Sequence, residues 1–121
     1  MSARGLALLE ILAVALLLAA GQVLVKRVVS PEPGATLLEL VKVALGDWRF
    51  WLAVACTATG ALLWMRVLAT AAVSVAYPLL IGCSLVLVAL AGLAFLRESL
   101  TAGVWLGVGL VLAGSVLIAR G

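Results

Sequence analysis

Glu10, Gln22, Lys26, Arg66, Ser74, Tyr77, Ser84 and Glu98 are polar or charged side chains set within, or at the ends of, long apolar runs. Their chemistry is hydrogen bonding and charge pairing, not bond making. The chain has no His, no carboxylate pair within one run and no nucleophile with a base nearby, so an enzyme is not expected. No phosphate-loop pattern is present, so no nucleotide is expected either. Cys56 and Cys83 fall inside apolar runs and read as packing residues, leaving no metal set, disulfide or cofactor.

Position separates the roles of these residues. Gln22 and Lys26 are four apart and share a helix face, whereas Glu10 is rotated by about 120° from Gln22. Glu10 lies near the start of its run, within reach of headgroups. Gln22 is deeper, and its amide has four hydrogen-bonding sites to satisfy, which points it at other helices or a cavity. Arg66 lies about one turn from the end of its run and either snorkels to the surface or offers a cation to a lipid phosphate. Pro78 has no N–H, so the carbonyl of Ser74 loses its helical partner. A kinked helix lining a cavity is expected there, with Ser74, Tyr77, Gly82 and Ser84 in its first half.

The elements that hold these residues are set by hydropathy. In 121 residues, 67% are hydrophobic and 11% charged, and the mean hydropathy is +1.38, far too apolar for a water-soluble domain. A spanning helix needs about 20 apolar residues. Four runs qualify, predicting an all-α membrane protein in which 1–121 is one four-helix transmembrane domain, with spans at 6–26, 48–69, 73–96 and 102–119. The first run, with Arg4 before it and Ala19, Ala20 and Gly21 near its end, imitates a secretory signal, but three further spans make it a retained helix. The net charge of +3 sits mostly at run ends, as anchors and not as a nucleic-acid face.

Between the first two spans, VVSPEPG at 28–34 breaks the helix. ATLLELVKVALG, 35–46, then puts Thr36, Glu39, Lys42 and Gly46 on one stripe and is too short to span, so it reads as an interfacial helix or as a cap packed over the mouth of the bundle. Asp47 and Thr101 are placed as N-caps, and Trp48, Arg49 and Trp51 as an interface anchor. The break at 69–72 is so short that the flanking spans are expected to be antiparallel neighbours. Gly103, Gly107, Leu110 and Gly114 form one smooth face on the last span, suited to helix association. With five Lys and Arg on one side and three on the other, positive residues only mildly favour both termini outside.

The stretches AAGQVLVK, WMRVLATAAVSVAYPLL, FLRESL and GVGLVLAGSVLI resemble small four-helix members of the drug/metabolite transporter superfamily across nearly the whole chain. The resemblance is strongest to the two small subunits that flip undecaprenyl phosphate-linked aminoarabinose, and more distant to the small multidrug resistance exporters. Those exporters carry a membrane-embedded Glu eight positions before the Lys, and here that position is Leu18. Their aromatic three residues after the helix 3 Tyr is replaced by Leu80.

The resemblance implies a flippase of the bacterial inner membrane that moves a polyprenyl phosphate-linked sugar by alternating access. Four helices enclose too little space for a polar headgroup, so a homodimer, or a heterodimer with a related small subunit, is implied, with Gly103, Gly107, Leu110 and Gly114 at its interface. Lys26 and Arg66 are the phosphate candidates. Gln22, Ser74, Tyr77 and Ser84 would replace the sugar's water, Pro78 would bend the wall, and Glu98 would meet an amino group or pair with Arg97. Two alternatives stand beside this: a proton-coupled exporter of small cations using Glu10, and a membrane subunit that transports nothing.

Overall fold

The computed structural model describes residues 3–30 and 34–121, and side chains from Gly5 onward within them. It is all helical: α1 Ala3–Val29, α2 Leu37–Leu45, α3 Trp48–Thr70, α4 Val73–Phe95 and α5 Ala102–Arg120. All but α2 are long and apolar enough to cross a membrane. The break expected at 28–34 includes residues 31–33, which lie outside the described residues. α1 continues past Lys26 to Val29, where Val28 is buried and the Ser30 hydroxyl donates to Lys26 O at 2.6 Å.

α1 is the central element and packs along both α3 and α4. Small residues set its approach to α3. A Cβ on Gly21 would lie 3.3 Å from Thr57 Oγ1, and one on Gly60 would lie 3.7 Å from Leu17 Cβ. Without side chains there, the helix axes come close enough for dispersion contacts to hold them in lipid. The core gathers Ile11, Val14 and Ala15 of α1 with Val67 of α3 and Ala76 and Leu80 of α4. Cys83 packs against this cluster.

The expectation that the second and third spans lie side by side is corrected. α3 and α4 meet only sparsely, near the bend between them, because α1 takes the main contact with each. Trp64 and Tyr77, whose ring centroids are 6.2 Å apart, mark that meeting. Beyond it the two helices separate.

The caps follow from local chemistry. Asp47 accepts the Arg49 N–H at 2.9 Å, and Thr101 accepts that of Val104 at 3.4 Å. α2 opens with a capping box in which Thr36 and Glu39 bond each other's backbone. Its Leu37, Leu38, Val41 and Leu45 are exposed, as an interfacial helix requires. The Trp51 indole donates to Leu45 O at 3.1 Å and holds α2 to α3.

α5 packs on α4 alone. The crossing is made by Ser115, 3% exposed, whose Oγ lies 2.8 Å from Pro78 O and from Val111 O. Pro78 sits within an unbroken α4, with its carbonyl turned to α5.

Candidate functional site

The charged residues collect at the two ends of the bundle. At one end, Arg66 Nη2 lies 3.1 Å from Glu10 Oε1. A cavity of about 290 Å³ opens beside the pair, lined by Leu6, Ala7, Ala69 and Thr70. Glu10 is mostly enclosed, while Arg66 reaches outward.

At the other end, Arg27 Nη2 donates to Phe95 O at 3.1 Å and ties the C-terminus of α1 to that of α4. That carbonyl belongs to the last turn of α4 and has no helical donor of its own. Lys26, beside Arg27, is exposed. Arg97 adopts a left-handed backbone, φ 52°, which lets the Glu98 N–H bond to Gly92 O at 3.0 Å. The Glu98 carboxylate then lies over Gly92, with Oε2 2.8 Å from where a Cβ would be. Ion pairs among the described residues join Arg49 to Asp47 and Arg66 to Glu10, and none involves Glu98.

The remaining predicted residues lie between these ends and form no single pocket. Ser74, Tyr77 and Gln22 are exposed on the monomer, and Ser84 is half-buried. Tyr77 is turned toward α3 by its contact with Trp64, and Ser84, seven residues on, shares that face of α4. The Ser84 hydroxyl is enclosed without a hydrogen-bond partner. Gln22 continues the stripe of Ile11, Ala15 and Leu18 toward the Glu98 end. On α5, a Cβ at Gly107 or Gly114 would meet nothing within 4 Å, and one at Gly103 only its neighbour Thr101. Leu110 is 66% exposed, so that face is free. Among the described residues no group of His, Cys, Asp and Glu is placed to hold a metal ion.

Three features give no signal in the sequence. Arg27 is indistinguishable there from an interface anchor, and Ser115 is one serine in a glycine-rich helix. The apolar groove that Arg27 closes, between α1 and α4, has no sequence signature.

Residues 11–119 match the model of the family described as "Putative transmembrane family 234". The chain is 39% identical over 80 residues to a protein of Pseudomonas savastanoi pv. phaseolicola, covering 66% of this chain and 69% of that one. It is 41% identical over 70 residues to one of Pseudomonas syringae pv. syringae, covering 58% and 64%. It is 44% identical over 71 residues to one of Klebsiella pneumoniae, covering 57% and 62%. Each relative is named "Probable 4-amino-4-deoxy-L-arabinose-phosphoundecaprenol flippase subunit ArnE". The chain thus spans less than two thirds of the length of two of these three. No solved structure matches. The resemblance read from AAGQVLVK and AYP agrees with these relatives, and the chain is a multi-pass inner-membrane protein that belongs to transmembrane family 234.

Proposed function

We propose that the chain is a subunit of a lipid flippase that carries the headgroup of a polyprenyl phosphate-linked amino sugar across the membrane while the tail stays in lipid. The observation that carries this reading is the course of one stripe of α1. Ile11 and Ala15 are buried under α3 and α4, and where those helices separate the same stripe emerges as Gln22 and Lys26, both exposed. Gln22 lies about 10 Å inside the end of α1. An amide at that depth is costly in hydrocarbon, so the gap calls for water, a partner subunit or a polar cargo.

Tyr77 continues the wall on α4, with the enclosed Ser84 hydroxyl about 10 Å further along the same face, to be reached when the gap opens. The polar groups therefore read as a ladder from the Lys26 and Glu98 end to the Glu10 and Arg66 end. A headgroup descending such a ladder exchanges one set of hydrogen bonds for the next. Its phosphate finds Lys26 at one end and Arg66, shared with Glu10, at the other, and Glu98, which forms no ion pair among the described residues, suits the amino group of the sugar. A second subunit, packed against Gly103, Gly107, Leu110 and Gly114, would close the gap and supply the opposite wall. Exchange between two related arrangements of such a pair gives alternating access.

A proton-coupled cation exporter asks Glu10 to face the path that the cation takes. The pairing of Glu10 with Arg66, and Leu18 packed against the core, argue for the flippase. Reconstitution with and without a related small subunit, followed by measurement of headgroup translocation of a polyprenyl phosphate-linked amino sugar, tests the proposal. Translocation above that of protein-free vesicles is expected, and translocation lost in Gln22→Leu. Proton release on binding a small cation, abolished in Glu10→Gln, would instead establish the exporter.

A further inference from the structure

The groove between α1 and α4 has a volume of about 540 Å³ and is walled by Leu16, Ala20, Leu24, Ala91 and Phe95, with Arg27 at one end. From Leu16 to Arg27 it follows α1 for about 16 Å. Arg27 is the one lining side chain able to form an ion pair, so the groove suits a hydrocarbon chain and not a sugar. One guanidinium N–H is held by Phe95 O. The others are left to face an anion at the level where α4 ends, near the membrane surface.

We infer that this groove seats the isoprenoid chain of a lipid monophosphate, with Arg27 holding the phosphate. The inference rests on the flippase reading above and adds where the tail is held. Charge and connectivity select the occupant. In a polyprenyl phosphate the phosphate is bonded directly to the end of its single chain, so a cation at the end of an apolar groove meets it where the chain ends. In a bilayer phospholipid two chains join a glycerol that stands between them and the phosphate.

The test is displacement of labelled farnesyl phosphate from the purified full chain in detergent. The wild type binds it saturably, and Arg27→Gln weakens binding by about ten- to a hundredfold, as loss of a charge-assisted contact to phosphate implies. Arg27→Lys retains more affinity than Arg27→Gln. Farnesol, which lacks the phosphate, binds the wild type and Arg27→Gln alike, which also shows that the variant is folded. Ala20→Phe and Ala91→Phe, which fill the groove, weaken both ligands. If Arg27→Gln binds farnesyl phosphate as the wild type does, or phosphatidylglycerol displaces the label equally well, the inference is overturned and the flippase reading stands. If the wild type binds no farnesyl phosphate at all, the inference is likewise overturned, while headgroup translocation alone decides the flippase reading.

Discussion

Arg66 and Glu10 are joined by a 3.1 Å ion pair that ties the end of α3 to the start of α1. The two partners are unequally placed, with the Arg66 side chain 67% exposed and that of Glu10 14% exposed. Removing Arg66 strands an enclosed carboxylate, whereas removing the Glu10 charge leaves a cation in reach of water or headgroups. Arg66→Ala is therefore expected to cost about 1–3 kcal/mol. Glu10→Gln is expected to cost under about 1 kcal/mol. Thermal unfolding of both variants in one detergent checks the order.

The α4–α5 crossing is equally specific. A Cβ at Gly82 would lie 2.6 Å from Ser115 Oγ and 3.0 Å from Ser115 Cβ. Gly82→Ala must push α5 outward, at about 1–3 kcal/mol. Gly82→Ala combined with Ser115→Gly removes the clash, so the pair is expected to cost less than the sum of the single changes in a double-mutant cycle.

Asp47 carries the pH dependence that can be assigned outside the spans. Its carboxylate accepts Arg49 Nη2 at 2.9 Å and the Arg49 backbone N–H at 2.9 Å. The side-chain bond to Arg49 chiefly, then the backbone bond, holds its pKa below the ordinary 3.8. A group depressed on folding stabilises fully above its unfolded pKa and loses that contribution as pH falls through the folded one. Asp47→Ala is thus expected to lower the melting temperature at pH 7, and the gap from wild type is expected to narrow below about pH 4.

The four spans and the short helix between the first two were legible in the residues because spanning length and the Asp47 and Thr101 caps are local signals. Which faces pack was not. In lipid, apolar side chains occupy both the packed and the exposed sides, so the stripe that marks a core in water is missing. That is why the short Ala71–Ala72 link suggested α3 beside α4, when α1 takes that place. Arg27 and Ser115 were obscured for the same reason: their partners, Phe95 O and Pro78 O, are backbone atoms far along the chain. Pro78 lies within a continuous α4 and presents its carbonyl to α5, a contact that no sequence signal announces. Gln22 stands out in the sequence because an amide deep in an apolar run demands a partner whatever the packing, and the structure leaves it exposed.

Ser84 separates stability from function. Its hydroxyl is enclosed and unpartnered, a cost of about 1–3 kcal/mol to the empty protein. Ser84→Ala is expected to raise the melting temperature while lowering headgroup translocation. A matched loss of both would mean that the hydroxyl serves only packing.

The central claim is that the gap between α3 and α4 is a wet, polar path. Labelling with a water-soluble maleimide tests it most directly, with Cys56 and Cys83 replaced by alanine and a single cysteine introduced as Gln22→Cys or as Leu62→Cys. Leu62 is 66% exposed on α3, about as far inside its own end of the bundle as Gln22 is inside the other, on the side away from Gly60 and Val67. The account predicts that Gln22→Cys reacts several times faster and is protected by a polyprenyl phosphate-linked amino sugar. Equal, slow labelling at both positions, with no protection, would contradict it.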